Sequence, residues 1–147
     1  MVMDPTLKRR ATRFVLLTVL IYSMGFGIIM PVLPDLIKHL AHVDAAEAAR
    51  IGAWIGATYG LFQILLMPAV GNLGDRFGRR PIFLISLFAF GFDFLLMGLA
   101  PNIGWLFVGR AIAGGLGAVF GPANAAMADM STPEERAASF GKVGAAF

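Results

Sequence analysis

The sequence predicts an all-α membrane protein, and three observations support this prediction. Hydrophobic residues make up 58% of the 147 residues and charged residues only 14%, well below the roughly 25% that is usual in soluble domains. Four apolar runs reach the length of about 20 residues that is needed to cross about 30 Å of hydrocarbon. Most of the charged residues lie in the segments that flank or separate these runs.

The four apolar runs are predicted to be membrane-spanning helices over residues 14–33, 51–70, 81–100 and 103–128. Pro31 and Pro34 are expected to end the first helix, because proline lacks the N–H group that a helix interior uses. The first run is too long for the apolar region of a signal peptide, and no cleavage site of small residues follows it. We therefore expect the first helix to remain in the protein.

A fifth helix is expected to begin near residue 133 and to run to residue 147. Thr132, Pro133 and Glu135 form the pattern of a helix start: a hydroxyl cap, a proline at the first helical position, and a glutamate three residues after the cap. This run is too short to cross a membrane. We therefore expect residues 1–147 to form a partial amino-terminal bundle, which needs missing carboxy-terminal helices as partners.

The lysines and arginines predict how the chain is oriented. Nine of them lie before the first span, within residues 71–80, or after the fourth span, whereas only Lys38 and Arg50 lie between the first and second spans. Because cytoplasmic loops carry the excess of positive charge, the amino terminus is predicted to be cytoplasmic. Orientation in a lipid bilayer thus explains the net charge of +3, and no nucleic acid partner is expected. The lack of cysteine excludes thiolate metal sites.

Residues 71–80, G-N-L-G-D-R-F-G-R-R, form the most specific motif of the chain. They resemble the loop between the second and third helices of the major facilitator superfamily, whose members have twelve helices. The resemblance implies a cytoplasmic gate that closes against the missing half of the protein. The gate residues are expected to be Gly71, Asp75, Arg76, Gly78, Arg79, Arg80 and Asp129.

Two charged residues lie deep in the predicted spans. At about 1.5 Å per residue, Asp93 lies about 18 Å and Arg110 about 20 Å from the cytoplasmic end. A charge inside a membrane is costly and indicates a function, so these residues are candidates for proton coupling. The alternative is an ion pair that only fixes two helices. The sequence has no ATP-binding loop, which leaves an ion gradient as the candidate energy source.

Polar residues on the second and fourth spans are candidates for substrate binding. Tyr59 and Gln63 lie four residues apart and share a helix face, although each could instead serve packing. On the fourth span, Asn124 shares a face with Arg110, Gly114, Gly117 and Gly121. Close packing of two helices is expected at Gly52, Gly56 and Gly60.

Further motifs narrow the resemblance to the tetracycline-efflux family. They are Y-G-L-F-Q (59–63), D-R-F-G-R-R-P (75–81), G-F-D-F (91–94), G-R-A-I-A-G (109–114) and A-D-M-S-T-P-E-E-R-A-A-S-F-G (128–141). The resemblance implies exchange of a metal–tetracycline complex for protons across the bacterial inner membrane, with a small-molecule drug and protons as partners. It assigns proton coupling to Asp93 and Arg110, and substrate binding to Gln63. The family has an aspartate in the first helix where this chain has Tyr22.

Other functions remain open on the sequence alone. The motif at residues 71–80 is common to importers and exporters, so an uptake or metabolite transporter of the same superfamily is one alternative. A membrane protein of four helices that transports nothing is another. An enzyme is disfavoured because the spans contain no paired acids, His–acid cluster or nucleophile, and no cofactor is expected. His39 and His42 lack a matching carboxylate, so no metal site is expected there.

Overall fold

Six helices form the chain in a computed structural model, which describes residues 4–117 and 119–147 and has no strand in those ranges. Four segments are long and apolar enough to cross a membrane, and α4 and α5 together form the last of them. The predicted all-α membrane fold is therefore confirmed. The helices are α1 (Pro5–Ala41), α2 (Ala45–Phe77), α3 (Arg79–Leu99), α4 (Ile103–Leu116), α5 (Phe120–Asp129) and α6 (Arg136–Ala146).

The first helix is longer than the sequence predicts. Asp4 caps it by accepting a hydrogen bond of 2.9 Å from the backbone N–H of Thr6, and His42 ends it with a left-handed φ of 55°. The prediction that Pro31 and Pro34 end this helix is wrong, because both lie inside it. Proline has a helical φ and costs mainly one backbone hydrogen bond, a loss that membrane helices tolerate. The 37 residues of α1 span about 55 Å, well beyond the hydrocarbon core.

A single residue, Gly78, separates α2 from α3. The carboxylate of Asp44 caps α2 by accepting a hydrogen bond of 2.8 Å from the N–H of Glu47. The helix then continues through residues 71–77, which the sequence motif assigns to a loop after the second span. Gly78 has a φ of 89°, which glycine adopts without strain and other residues do not. This conformation ends α2 and lets α3 begin at the next residue.

The fourth predicted span is interrupted between Leu116 and Phe120. Glycine is a poor helix former; Gly114 and Gly115 precede the interruption, and Gly117 lies within it. Pro122, in the first turn of α5, has no N–H with which to continue a preceding helix. The hydroxyl of Ser86 in α3 donates a hydrogen bond of 2.6 Å to the carbonyl of Leu116. A neighbouring helix therefore satisfies one carbonyl that the interruption leaves without a helical donor.

The last helix, α6, begins at Arg136, later than the sequence predicts. Before it, Oε2 of Glu135 accepts hydrogen bonds from Nζ of Lys8 (2.8 Å) and from the N–H of Thr132 (3.3 Å). These hydrogen bonds, that from Lys8 first, hold the pKa of the Glu135 carboxyl below its usual range. Because Lys8 belongs to the first turns of α1, the contact connects the start of α6 to the amino-terminal end of the bundle.

The core of the bundle lies where α4 packs against α2 and α3. Val19 of α1, Ile55 of α2 and Leu106 of α4 are fully buried and belong to one apolar cluster. Large apolar side chains such as Phe88 and Leu99 are instead 77% and 79% exposed. An extended apolar surface of this kind is a feature of proteins that contact a membrane, and lipid is the expected neighbour.

The regularly spaced glycines of α2 (Gly52, Gly56 and Gly60) and Gly114 of α4 pack in different ways. A Cβ atom at Gly114 would overlap the backbone oxygen of Tyr59, so the backbones of α4 and α2 approach closely at this point. At Gly56 and Gly60, the described part of the chain places nothing within 4 Å of an added Cβ, and Gly52 has one neighbour at 3.5 Å. The expectation of close helix packing is therefore wrong for Gly56 and Gly60.

Candidate functional site

Asp93 and Arg110 form an ion pair inside the bundle. Nη2 of Arg110 donates a hydrogen bond to Oδ2 of Asp93, and the two residues are 3% and 0% exposed, respectively. Sδ of Met97, one turn further along α3, lies 3.4 Å from the same nitrogen. The packing of α3 on α4 thus brings together the two charges that the sequence places at equal depth.

The ion pair leaves part of its hydrogen-bonding capacity unused. In the described residues, neither Oδ1 of Asp93 nor Nε of Arg110 has a partner, although buried polar atoms normally have one. A Cβ atom at Gly109 would lie 2.5 Å from this Oδ1, so glycine leaves room for the carboxylate. An oxygen in this position is available to accept a proton.

Two tyrosines extend this polar group to the first two helices. Cζ of Arg110 lies 5.8 Å from the ring centre of Tyr59, within the range of a cation–π interaction. The hydroxyl of Tyr59 is hydrogen bonded to the hydroxyl of Tyr22 in α1. Each of the first four helices therefore contributes one residue to a polar row, which consists of Tyr22, Tyr59, Asp93 and Arg110.

Two cavities meet at Tyr59 between α1 and α2. The outer cavity, on the side of the connection from α1 to α2, has a volume of about 330 Å³ and reaches Arg110. The inner cavity has a volume of about 160 Å³ and is lined by Tyr22, Phe26, Tyr59, Gln63, Phe120 and Phe147. Tyr59 and Gln63 thus meet in one cavity, as their spacing predicts. Asn124 is exposed on α5 and lines neither cavity.

Arg79 contacts two carboxylates at the end of the bundle that contains the start of α3. Its Nη2 lies 3.0 Å from Oδ1 of Asp75 and 3.2 Å from Oδ2 of Asp129. We call these three residues the charge cluster, and they join α2, α3 and α5. Both acidic side chains are 64% exposed, so water screens the ion pairs and their contribution to stability is small.

The other predicted gate residues lie around the charge cluster. Gly78 makes the bend that brings Arg79 back to α2. Cζ of Arg76 lies 6.0 Å from the ring centre of Phe77. Arg80 lines a groove of about 460 Å³ that also reaches the charge cluster. An added Cβ at Gly71 meets nothing within 4 Å in the described residues.

Tyr22, Ser86 and Met97 are not among the site residues that the sequence predicts, although Tyr22 occupies the position of the family's first-helix aspartate. For Tyr22 a signal exists, because Val15, Val19 and Tyr22 recur at helical spacing and are all buried. The signal places Tyr22 on the inward face of α1 but does not identify Tyr59 as its neighbour. Ser86 and Met97 have their roles through contacts with Leu116 and Arg110 of α4. A local sequence pattern does not contain such contacts between helices.

The two histidines have local roles. Nδ1 of His39 lies 3.2 Å from the backbone oxygen of Asp35, one turn earlier in α1. His42 is the left-handed residue that ends α1. The part of the chain that the structure describes has no group of three His, Asp or Glu residues suited to a metal ion.

Comparison with known proteins relates this fold to a family. The model of the Major Facilitator Superfamily matches residues 15–147. The chain is 41% identical over 130 residues to tetracycline resistance protein, class C, and 35% identical over 137 residues to the class B protein, both from Escherichia coli. These matches cover 88% and 93% of the chain, but only 32% and 34% of the two relatives. Multidrug resistance protein 2 of Bacillus subtilis is 28% identical over 147 residues, which is 98% of the chain and 36% of that relative.

The chain therefore belongs to the Major Facilitator Superfamily, a family of membrane transporters. The matched residues begin within α1 and include all later helices. The similarity to tetracycline resistance proteins that the motifs indicate is confirmed. The chain spans about a third of the length of the curated relatives it matches.

Proposed function

We propose that this chain acts as the amino-terminal part of a proton-coupled exporter of small-molecule drugs in a bacterial inner membrane. Tetracycline-like compounds are the first candidates for the substrate. The observation that supports this proposal most strongly is the buried pair of Asp93 and Arg110 next to the outer cavity. Secondary transporters bind substrate and coupling ion near the middle of the membrane, where this pair is predicted to lie.

Asp93 is the proposed site of the coupling proton. When its carboxylate is ionised, it neutralises Arg110, so that neither charge is buried alone. When Asp93 binds a proton, Arg110 loses this counter-ion and interacts more strongly with the ring of Tyr59. Proton binding thereby withdraws the guanidinium group from a ligand in the outer cavity, which it lines while Asp93 is ionised. Proton and substrate are therefore proposed to bind in alternation, and this alternation is the proposed basis of exchange.

The lining of the inner cavity favours flat aromatic substrates. Most of the side chains around it are aromatic, and Gln63 supplies an amide. Aromatic rings bind flat apolar molecules by stacking, while an amide both donates and accepts hydrogen bonds and so orients the ligand. Relatives named tetracycline resistance protein and multidrug resistance protein support the same class of compound.

The charge cluster is proposed to be a gate on the cytoplasmic side. Arg79 connects α2, α3 and α5 through Asp75 and Asp129, whose side chains are largely exposed. Exposed ion pairs contribute only about 0–1 kcal/mol each, so they exchange readily for contacts with the missing carboxy-terminal helices. The gate can therefore open and close at a small cost in free energy.

The same end of the bundle is proposed to face the cytoplasm. Arg10, Arg79 and Arg80 line one groove there, and Lys8 lies nearby in α1. Such a concentration of positive charge at the membrane surface is typical of the cytoplasmic side. The amino terminus is then cytoplasmic, and the connection between α1 and α2 faces outward.

Transport into everted membrane vesicles tests the proposal. The longer protein that contains this chain is expressed, and the vesicle interior is acidified by respiration. We expect accumulation of a tetracycline, release of protons from the vesicles when the compound is added, and loss of both effects when an ionophore removes the proton gradient. Vesicles with the Asp93→Asn variant serve as the matched control.

Two outcomes would contradict the proposal. Accumulation that persists without a proton gradient excludes proton coupling. Substrate movement that is driven only in right-side-out vesicles indicates an importer, which is the alternative that the motif at residues 71–80 also allows. A panel of flat aromatic compounds, tested in the same vesicles, separates a general drug exporter from a tetracycline exporter.

A further inference from the structure

We infer that Tyr22 holds the side chain of Tyr59 across the passage between the two cavities, so that the hydroxyl pair controls whether they are connected. The outer and inner cavities share two lining residues, Phe26 and Tyr59. Their ring centres lie 6.3 Å apart. These two rings therefore form the partition between the cavities, and one of the two is hydrogen bonded to Tyr22.

The backbone of Tyr59 is blocked on the side of α4. Gly114 of α4 packs so closely against it that one added methyl group would overlap the carbonyl oxygen of Tyr59. The backbone at this point is thus restrained by the hydrogen bonds of α2 and by the contact with α4. Opening the partition at Tyr59 therefore proceeds by rotation of its side chain, and this rotation breaks its hydrogen bond to Tyr22.

Tyr22 is the fixed member of the pair. It is 3% exposed, and its ring lies 4.5 Å from that of Phe90 and 6.4 Å from that of Phe120, measured between centres. Tyr59 is only partly buried and borders open space on both sides. Packing therefore restrains Tyr22 and leaves Tyr59 able to change its rotamer. The hydroxyl of Tyr22 is a positioning group for Tyr59.

The pair also connects the partition to the proposed proton site. The guanidinium of Arg110 lies over the ring of Tyr59, whose hydroxyl is hydrogen bonded to Tyr22. A change in the charge balance between Asp93 and Arg110 therefore acts on the residue that separates the cavities. This inference rests on the proposed function only in treating the two cavities as one substrate path.

The test measures access to each cavity and needs no substrate. The described chain has no cysteine, so single cysteines are introduced by Gln63→Cys for the inner cavity and Gly56→Cys for the outer cavity, with any cysteines elsewhere in the longer protein replaced. An impermeant thiol reagent is added to intact cells. We expect Tyr22→Phe to raise the labelling rate at position 63 by about 2- to 10-fold, the effect of losing one neutral hydrogen bond. Labelling at position 56 should stay unchanged.

Three further variants make the result specific to the hydroxyl pair. Tyr59→Phe should give the same increase, and the double variant should not exceed either single variant, because all three remove the same bond. Ser23→Ala and Thr58→Ala are matched controls, since within residues 4–117 and 119–147 these neighbouring hydroxyls donate only to the carbonyls of Val19 and Trp54 in their own helices. We expect both to label at the parent rate.

Several outcomes would overturn the inference. One is labelling at position 63 that does not change in Tyr22→Phe. Another is an equal increase at positions 56 and 63, which indicates general loosening of the bundle. Effects of Tyr22→Phe and Tyr59→Phe that multiply in the double variant also contradict it. Labelling is measured without transport. Failure of this inference can therefore be told apart from failure of the proposed export function.

Discussion

Arg110 donates a hydrogen bond to Asp93 between α3 and α4, and their side chains are only 4% and 0% exposed. An ion pair buried to this degree is weak evidence for stability, because desolvation of both charges opposes their attraction. The pair serves either the packing of two helices or the movement of a proton. These roles predict different results when one or both charges are removed.

Asp93→Asn is the first test, because it keeps the shape of the side chain but removes its ability to ionise. We expect efflux driven by the proton gradient to fall to background. Since Arg110 is left as an unpaired buried cation, we also expect the free energy of unfolding to fall by up to about 3–5 kcal/mol. Efflux in everted vesicles and thermal unfolding in detergent measure the two effects.

The double variant of Asp93→Asn and Arg110→Gln separates the roles. It removes both charges, so the stability lost in the single variant should largely return. Efflux should stay at background, because no buried carboxylate remains at this site. Full efflux by the double variant would mean that Asp93 does not carry the proton.

The charge cluster predicts a loss of transport without a loss of folding. Asp75→Asn leaves Arg79 with Asp129 as its acidic neighbour in the cluster. Because the ion pair is exposed, the free energy of unfolding should change by no more than about 1 kcal/mol, while efflux should be abolished. Glu47→Gln, which removes another exposed ion pair of α2 (2.7 Å to Arg50), is the control and should transport normally. Parent-level efflux in Asp75→Asn would exclude the gate.

The contact between α4 and α2 predicts that Gly114 does not tolerate a side chain. Gly114→Ala places a methyl group on the backbone oxygen of Tyr59, and such overpacking costs about 1–3 kcal/mol. Gly56→Ala is the matched control on α2, since the described chain leaves open space there. We expect a lower Tm for the first variant and an unchanged or slightly higher Tm for the second, because alanine is the better helix former. Equal Tm values would show that the two helices separate easily.

The positions of positive charge predict the orientation of the chain. Single cysteines are introduced by Asn72→Cys, close to the charge cluster, and by His42→Cys, in the connection between α1 and α2. With an impermeant thiol reagent on intact cells, only the cysteine at position 42 should react. The reverse pattern would place the amino terminus outside and would contradict the charge rule for this chain.

Glu135 predicts a local effect of pH on the start of α6. Its pKa is lower in the folded chain than the ordinary value of 4.5, so its contact with Lys8 stabilises the fold above that value. The contribution is lost as the pH falls through the lowered pKa. Below about pH 4.5, amide hydrogen exchange of residues 136–139, corrected for its intrinsic rate, should therefore increase. Glu135→Gln should lack this step, and a step of equal size in that variant would assign it to other groups.

Several features of this chain could be predicted from the sequence because they depend on local properties. The number and approximate place of the spans follow from the length of the apolar runs and the thickness of the bilayer. The contact of Asp75 with Arg79 follows from a spacing of four residues. The equal depth of Asp93 and Arg110 follows from the rise per residue along their helices.

Helix ends are harder to predict, because neighbouring helices change the free energy cost of interrupting the backbone hydrogen bonds of a helix. Pro31 and Pro34 remain inside α1, where a local pattern predicts an end. The fourth span shows the opposite error, since it is interrupted where Ser86 of α3 supplies a hydrogen bond to Leu116. A proline or a glycine favours a helix end, but contacts with the surrounding helices decide whether the helix ends there.

The sequence by itself determined the all-α membrane fold, the family and the residues that carry charge inside the spans, because apolar length and motif spacing are properties of the chain alone. The tertiary structure decided which residues meet. It pairs Asp93 with Arg110, joins Tyr22 to Tyr59, and leaves Asn124 outside both cavities. The physical reason is that each of these contacts depends on how one helix is rotated and packed against another, and periodicity within a single helix does not contain that information.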